Sequence, residues 1–125
     1  MTWFLVFVGG GLGALARWMF ARLAPPLDLG AGGFPWATFA ANFFACIALG
    51  MGLSLALRNQ MSPTQQAFAL TGFCGGFSTF STFAADVVVL LQEGYPGVAI
   101  TYLAVSIACG TLSIFGILYL NAVTG

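Results

Sequence analysis

The sequence predicts an all-α integral membrane protein of four transmembrane helices, the third broken near its middle. Three observations lead there. Only 5% of the 125 residues are charged and 60% are hydrophobic, whereas soluble domains carry about 25% charged residues. Apolar stretches recur at residues 3–23, 35–57, 65–91 and 97–120, each at or above the ~20 residues that a helix needs to cross the hydrocarbon. Within the third stretch lies Gly72-Phe73-Cys74-Gly75-Gly76-Phe77-Ser78-Thr79-Phe80-Ser81-Thr82-Phe83, with three glycines, four hydroxyls and four phenylalanines. Adjacent glycines loosen a helix, and polar groups are expensive at membrane depth, so this run marks a buried polar pathway.

The first span is too long for a signal-peptide core and lacks a basic n-region, so it reads as a retained helix. Its Gly9-Gly10-Gly11-Leu12-Gly13 run follows no strand and fails the context test for a nucleotide-binding loop. The Gly9-x-x-x-Gly13 and Gly72-x-x-x-Gly76 spacings put small residues on one helical face, suited either to a subunit interface or to an internal contact. Pro25-Pro26-Leu27-Asp28 with Gly30, Gly32 and Gly33 ends the first span. Pro35 suits the first turn of the second, where its missing donor costs little. Asn42 is the only amide in that second span. Arg58-Asn59-Gln60-Met61-Ser62-Pro63 leads into the third, with Ser62 or Thr64 as its cap. Glu93-Gly94-Tyr95-Pro96-Gly97 turns into the fourth, where Tyr102 and Ser106 stand i, i+4 and face the same way. Residues 1–125 thus read as one four-helix transmembrane unit with no internal repeat, so any two-fold symmetry has to come from a second chain.

Threading four spans puts Arg58 on the side of both termini, while Arg22, with Asp28 and Glu93, lies opposite; Arg17 is deeper. Basic residues at span ends set orientation and acidic ones contribute little, so the bias is weak. Two oppositely inserted copies are then able to pair about an axis in the membrane plane. With three basic residues and no net charge, no nucleic-acid partner is expected.

The chain is not expected to be an enzyme. It has no histidine or lysine, its carboxylates are Asp28, Asp86 and Glu93, and no general base accompanies its hydroxyls. Cys46, Cys74 and Cys109 sit in three different spans without metal-ligand spacing and read as packing residues. Transport is the better class. Phe77, Phe80 and Phe83 recur at i, i+3, i+6 as a stripe flanked by Ser78, Thr79, Ser81 and Thr82. Ring edges are positive, and hydroxyls donate, so the stripe can receive a small anion without a fixed charge; the competing use is packing or lipid contact.

These residues, with Gly10-x-x-Gly13-Ala14-x-x-Arg17 in the first span and an Asn in the second, resemble the bacterial fluoride channel family, called Fluc or CrcB, over essentially the whole chain. The resemblance implies an antiparallel, dual-topology homodimer in the cell inner membrane that passes fluoride outward passively and lowers cytoplasmic fluoride. It implies a structural sodium ion at the dimer centre on backbone carbonyls that match Gly75 and Ser78. It implies two fluoride pathways lined by Phe80 and Phe83, by Asn42, and by the hydroxyls of Ser81, Thr82, Tyr102 and Ser106. Arg17, Thr79 and Asp86 match positions with vestibule or tuning roles, Arg17 as either an anion-attracting charge or a helix-end anchor. The sequence departs from the family pattern at Ser78 in place of Thr, Ala84 in place of Ser, Asp86 in place of Glu, and Gly110 in place of the next hydroxyl of the polar track. Thr111 or Ser113 stands near enough to substitute for that hydroxyl. The alternative reading is a small dual-topology multidrug or cation exporter, which needs an acidic residue in the first span, where Arg17 stands.

Overall fold

The computed structural model describes residues 1–24 and 31–124. Four of its helices are long and apolar enough to cross a membrane: Thr2–Leu23, Trp36–Leu57, Pro63–Gln92 and Pro96–Thr124. The turn expected at Pro25-Pro26-Leu27-Asp28 and Gly30 lies outside the described residues. Helix is the only open-ended way to pair every backbone group inside a hydrocarbon layer, which is why these apolar runs adopt it at their full length. The ends follow local chemistry. Pro35 holds the N-cap position just before the second helix, with no side-chain cap bond, and of the two candidate caps for the third it is Ser62 that serves. Its Oγ accepts the Gln65 N–H at 3.2 Å while Gln65 Oε1 accepts the Ser62 N–H at 2.8 Å, a reciprocal pair that satisfies two orphan donors. Gly94, at φ +84°, makes the turn into the fourth helix.

The first helix lies against residues 67–77 of the third span, and the second and fourth helices pack together. Glycine sets the first of these contacts. A Cβ on Gly9 would run into the Phe68 carbonyl, one on Gly13 into the Phe73 carbonyl, and one on Gly76 into the Gly10 carbonyl. A Cβ on Gly72 would come within 3.0 Å of Gly9 Cα. The two small-residue pairs therefore face each other within one chain, which decides between the two uses that their spacing allows.

The third span is not a uniform helix. Ala67–Cys74, where it is pressed on the first helix, is π-helical, a form found mostly as short bulges near functional positions. The helix ends at Phe77; Ser78 (ψ 157°) and Thr79 (φ −149°) are extended, and Phe80–Gln92 resumes the path. The break thus falls just after the glycine pair. Gly75 itself is helical at φ −64°, ψ −38°, and Gly76 is spent on the close approach to Gly10. It is Thr79 that ends the gap, its Oγ1 accepting the Thr82 N–H as the cap of the second half. Residues Phe80–Gln92 lean on the fourth helix around a small core in which Leu90 and Tyr102 are fully buried with Ala99, ringed by Phe34, Phe39, Phe83, Val87, Tyr95 and Val98.

Candidate functional site

The break brings together residues from three helices. Asn42 and Cys46 from the second, Ser78, Thr79, Phe80 and Phe83 from the third, and Ser106 and Ile107 from the fourth line one open cavity of about 280 Å³. Asn42 is fixed in it by two hydrogen bonds to the backbone of Thr79. Its Oδ1 accepts the Thr79 N–H at 2.6 Å and its Nδ2 donates to the Thr79 carbonyl at 3.1 Å. One Nδ2–H is left to offer. The Ser106 Oγ is buried with no hydrogen-bond partner among the described residues. Phe80 and Phe83 pack with ring centroids 6.0 Å apart, Phe83 half-buried and Phe80 80% exposed.

Phe77 does not continue their stripe. The break turns it onto the other half of the span, where it packs against Phe20 and Phe73. Ser81 and Thr82 lie on exposed positions outside the cavity lining, with their hydroxyls 3.4 Å and 3.0 Å from Thr79 Oγ1. Tyr102, expected beside Ser106, is set back from the cavity. Its ring packs on Phe83 at 5.0 Å between centroids, and its hydroxyl donates to Asp86 Oδ2 at 3.1 Å. Asp86 is itself buried, with Thr38 beside both members of the pair. Gly110 is buried and offers no hydroxyl. Ser113 turns back to the Gly110 carbonyl at 2.8 Å, while Thr111 lines a wider groove of about 530 Å³ with Ser106 and Cys46.

Gly75 and Ser78 share a second cavity, of about 140 Å³, with Ala45, Cys46, Leu49, Leu70 and Cys74. Gly75 is exposed, and a Cβ there would meet no atom within 4 Å. Arg17 reaches in from the first helix, and its Nε donates to the Gly76 carbonyl at 3.2 Å. Two contributors were not anticipated. Cys46 touches all three hollows because it stands one turn after Asn42, a spacing the sequence displays. Thr38 lies one turn before Asn42, but nothing in the sequence pairs it with Asp86.

A half-walled, largely apolar hollow carrying a few hydrogen-bonding groups beside a broken helix, in a chain made almost wholly of membrane-spanning helix, marks the class as a small integral membrane protein suited to transport. The family model described as CrcB-like protein, Camphor Resistance (CrcB), matches residues 4–117, and the chain belongs to this family. It is 38% identical over 121 residues to the fluoride-specific ion channel FluC of Bacteroides fragilis, covering 93% of this chain and 92% of that one. Against the fluoride-specific ion channel FluC of Escherichia fergusonii it is 43% identical over 103 residues, 82% of this chain and 79% of the relative. The protein of the same description from Escherichia coli strain UMN026 is 44% identical over 96 residues, 76% and 73% of the two chains.

Proposed function

We propose that this chain is a fluoride-selective ion channel of the bacterial inner membrane, passing fluoride out passively and lowering its cytoplasmic level. The observation that carries the reading is the Ser106 hydroxyl. A buried hydroxyl without a partner costs about 1–3 kcal/mol, and this one borders the cavity of Asn42, Phe80 and Phe83. The Asn42 carbonyl is already engaged by Thr79, so its free group there is an N–H. Hydroxyl and amide donors with positive ring edges suit a small, strongly hydrated anion that must exchange water for donors in turn. The relatives' shared description as fluoride-specific channels agrees with that chemistry. A cation exporter would need a free acid in the first helix. Arg17 stands there, bonded to Gly76, and the embedded acid of the third helix is paired with Tyr102.

In this reading two copies pair antiparallel. The support is the weak arginine bias, the open side of the cavity, the 80% exposure of Phe80 and the bare surface at Gly75. A sodium ion would be held between the copies by the carbonyls of Gly75 and Ser78. Two oxygens from each copy suit a hard cation, and the donor that would otherwise pair with the Gly75 carbonyl, the Thr79 N–H, is given to Asn42. The ion supplies charge that steadies the dimer centre. Phe80, Phe83, Asn42 and Ser106 line the route, Ser81, Thr82 and Tyr102 support it through Thr79 and Phe83, and Thr79, Asp86 and Arg17 tune its shape.

The test is efflux from liposomes that contain only the purified protein, with fluoride compared against chloride. Fluoride should leave rapidly and chloride at the rate of empty liposomes; equal rates would sink the reading. Crosslinking of cysteines placed at opposite ends of the third span on separate copies tests the antiparallel pair, since links formed only between like ends would mean parallel copies and rule it out.

A further inference from the structure

On either side of Ser78, a side chain from another helix holds a backbone group. Arg17 Nε donates to the Gly76 carbonyl at 3.2 Å. The Asn42 amide meets both backbone groups of Thr79, at 2.6 Å and 3.1 Å. In an uninterrupted helix each N–H goes to the carbonyl four residues back. The Thr79 N–H would then close on Gly75, and the Phe80 N–H on Gly76. Asn42 has taken the first of these donors, and Arg17 has replaced the second.

The exchange is selective. Gly76 regains a partner, whereas Gly75 loses its helical donor to Asn42. A primary amide carries a donor and an acceptor on one edge, so it can match the N–H and C=O of a single residue as a neighbouring strand would. The extended backbone of Ser78 and Thr79 presents those groups to it. Neither contact depends on a second copy of the chain or on an ion. Both lie in half-buried surroundings, where unpaired backbone groups are costly.

We propose that Arg17 and Asn42 are positioning residues for the break. They hold residues 76–79 in place from within one protomer and make the Gly75 carbonyl, rather than that of Gly76, the free one. For Asn42 this is a second role beside the N–H that it offers the cavity. The functional consequence rests on the reading of Gly75 and Ser78 as cation ligands; the clamp itself does not.

The experiment is hydrogen exchange of the full-length protein in liposomes, followed by mass spectrometry of peptides that cover Ser78 to Phe80. Fluoride efflux is titrated with sodium on the same samples. Asn42→Ala should speed exchange at Thr79 by roughly tenfold, the protection that one such hydrogen bond gives. Asn42→Asp keeps the acceptor for the Thr79 N–H and should retain protection there, which separates loss of the clamp from loss of the fold. Arg17→Met should loosen the same peptides, while Arg22→Met, which removes a charge stacked over Trp18 on the same helix, should leave them unchanged. Both clamp variants should also need more sodium for half-maximal flux. Unchanged or slower exchange in Asn42→Ala and Arg17→Met would overturn the proposal. An unaltered protein that passes no fluoride would instead refute the channel reading and leave the exchange result to judge the clamp.

Discussion

The two halves of the third span share a sequence style but are held by opposite means. Residues 67–77 are welded to the first helix backbone to backbone, through Gly9, Gly13, Gly72 and Gly76, and carry no polar side chain into the break. Phe80–Gln92 is held by side chains: Phe83 and Leu90 against Tyr102, and the Tyr102 hydroxyl on Asp86. In one half glycine removes bulk so that a helix can be anchored. In the other, bulk and hydroxyls are presented to an open hollow. The difference teaches that one motif divides at Ser78 into an anchor and a wall.

The largest effect should come from the anchor. Gly76→Leu drives a side chain into the Gly10 backbone, where nothing can rotate away. It should cost the upper end of the about 1–3 kcal/mol typical of overpacking, read as a lower melting temperature and a loss of monodisperse protein. If Gly76→Leu melts as the unaltered protein does, the seam is not an anchor. Within the wall, Ser106→Ala should do the reverse. It removes an unpaired hydroxyl, so stability should hold or rise, yet fluoride efflux should fall roughly tenfold, because a hydrogen bond to a charged species is worth about 1.5–3 kcal/mol. Undiminished efflux would take Ser106 off the route. The smallest effect on folding belongs to Gly75→Ala, whose methyl meets open space. Its melting temperature should hold or rise by a few degrees, since helix propensity alone favours Ala by about 1 kcal/mol. A fall as large as that of Gly76→Leu would merge the two glycines into one role.

The four spans were legible because hydropathy and length speak directly in a lipid environment; the third and fourth helices extend only slightly beyond the expected 65–91 and 97–120. The break was legible as a region but not to the residue. Glycine pairs signal a loosened backbone, yet here Gly76 serves close packing, and the extended residues are the hydroxyl-bearing Ser78 and Thr79, which can cap a helix. The π-helical turn at Ala67–Cys74, where the span meets the first helix, left no mark in the pattern. Residue type and spacing singled out Asn42, a stripe of Phe77, Phe80 and Phe83, and a shared face for Tyr102 and Ser106, while the choice of Phe80, Phe83 and Ser106 as lining residues came from the family resemblance. That Tyr102 turns away to Asp86 could not, because the 3.6-residue helical repeat says which face a residue shares but not which neighbour its hydroxyl reaches.

The most direct test is the fluoride efflux of a Phe80→Ile/Phe83→Ile double variant from liposomes, with its melting behaviour checked alongside. Phe80 is mostly exposed in the single chain and Phe83 only half-buried, so the protein should stay folded while fluoride efflux collapses toward that of protein-free liposomes. A folded double variant that passes fluoride at the rate of the unaltered protein would contradict the placement of the anion route along the second half of the third helix.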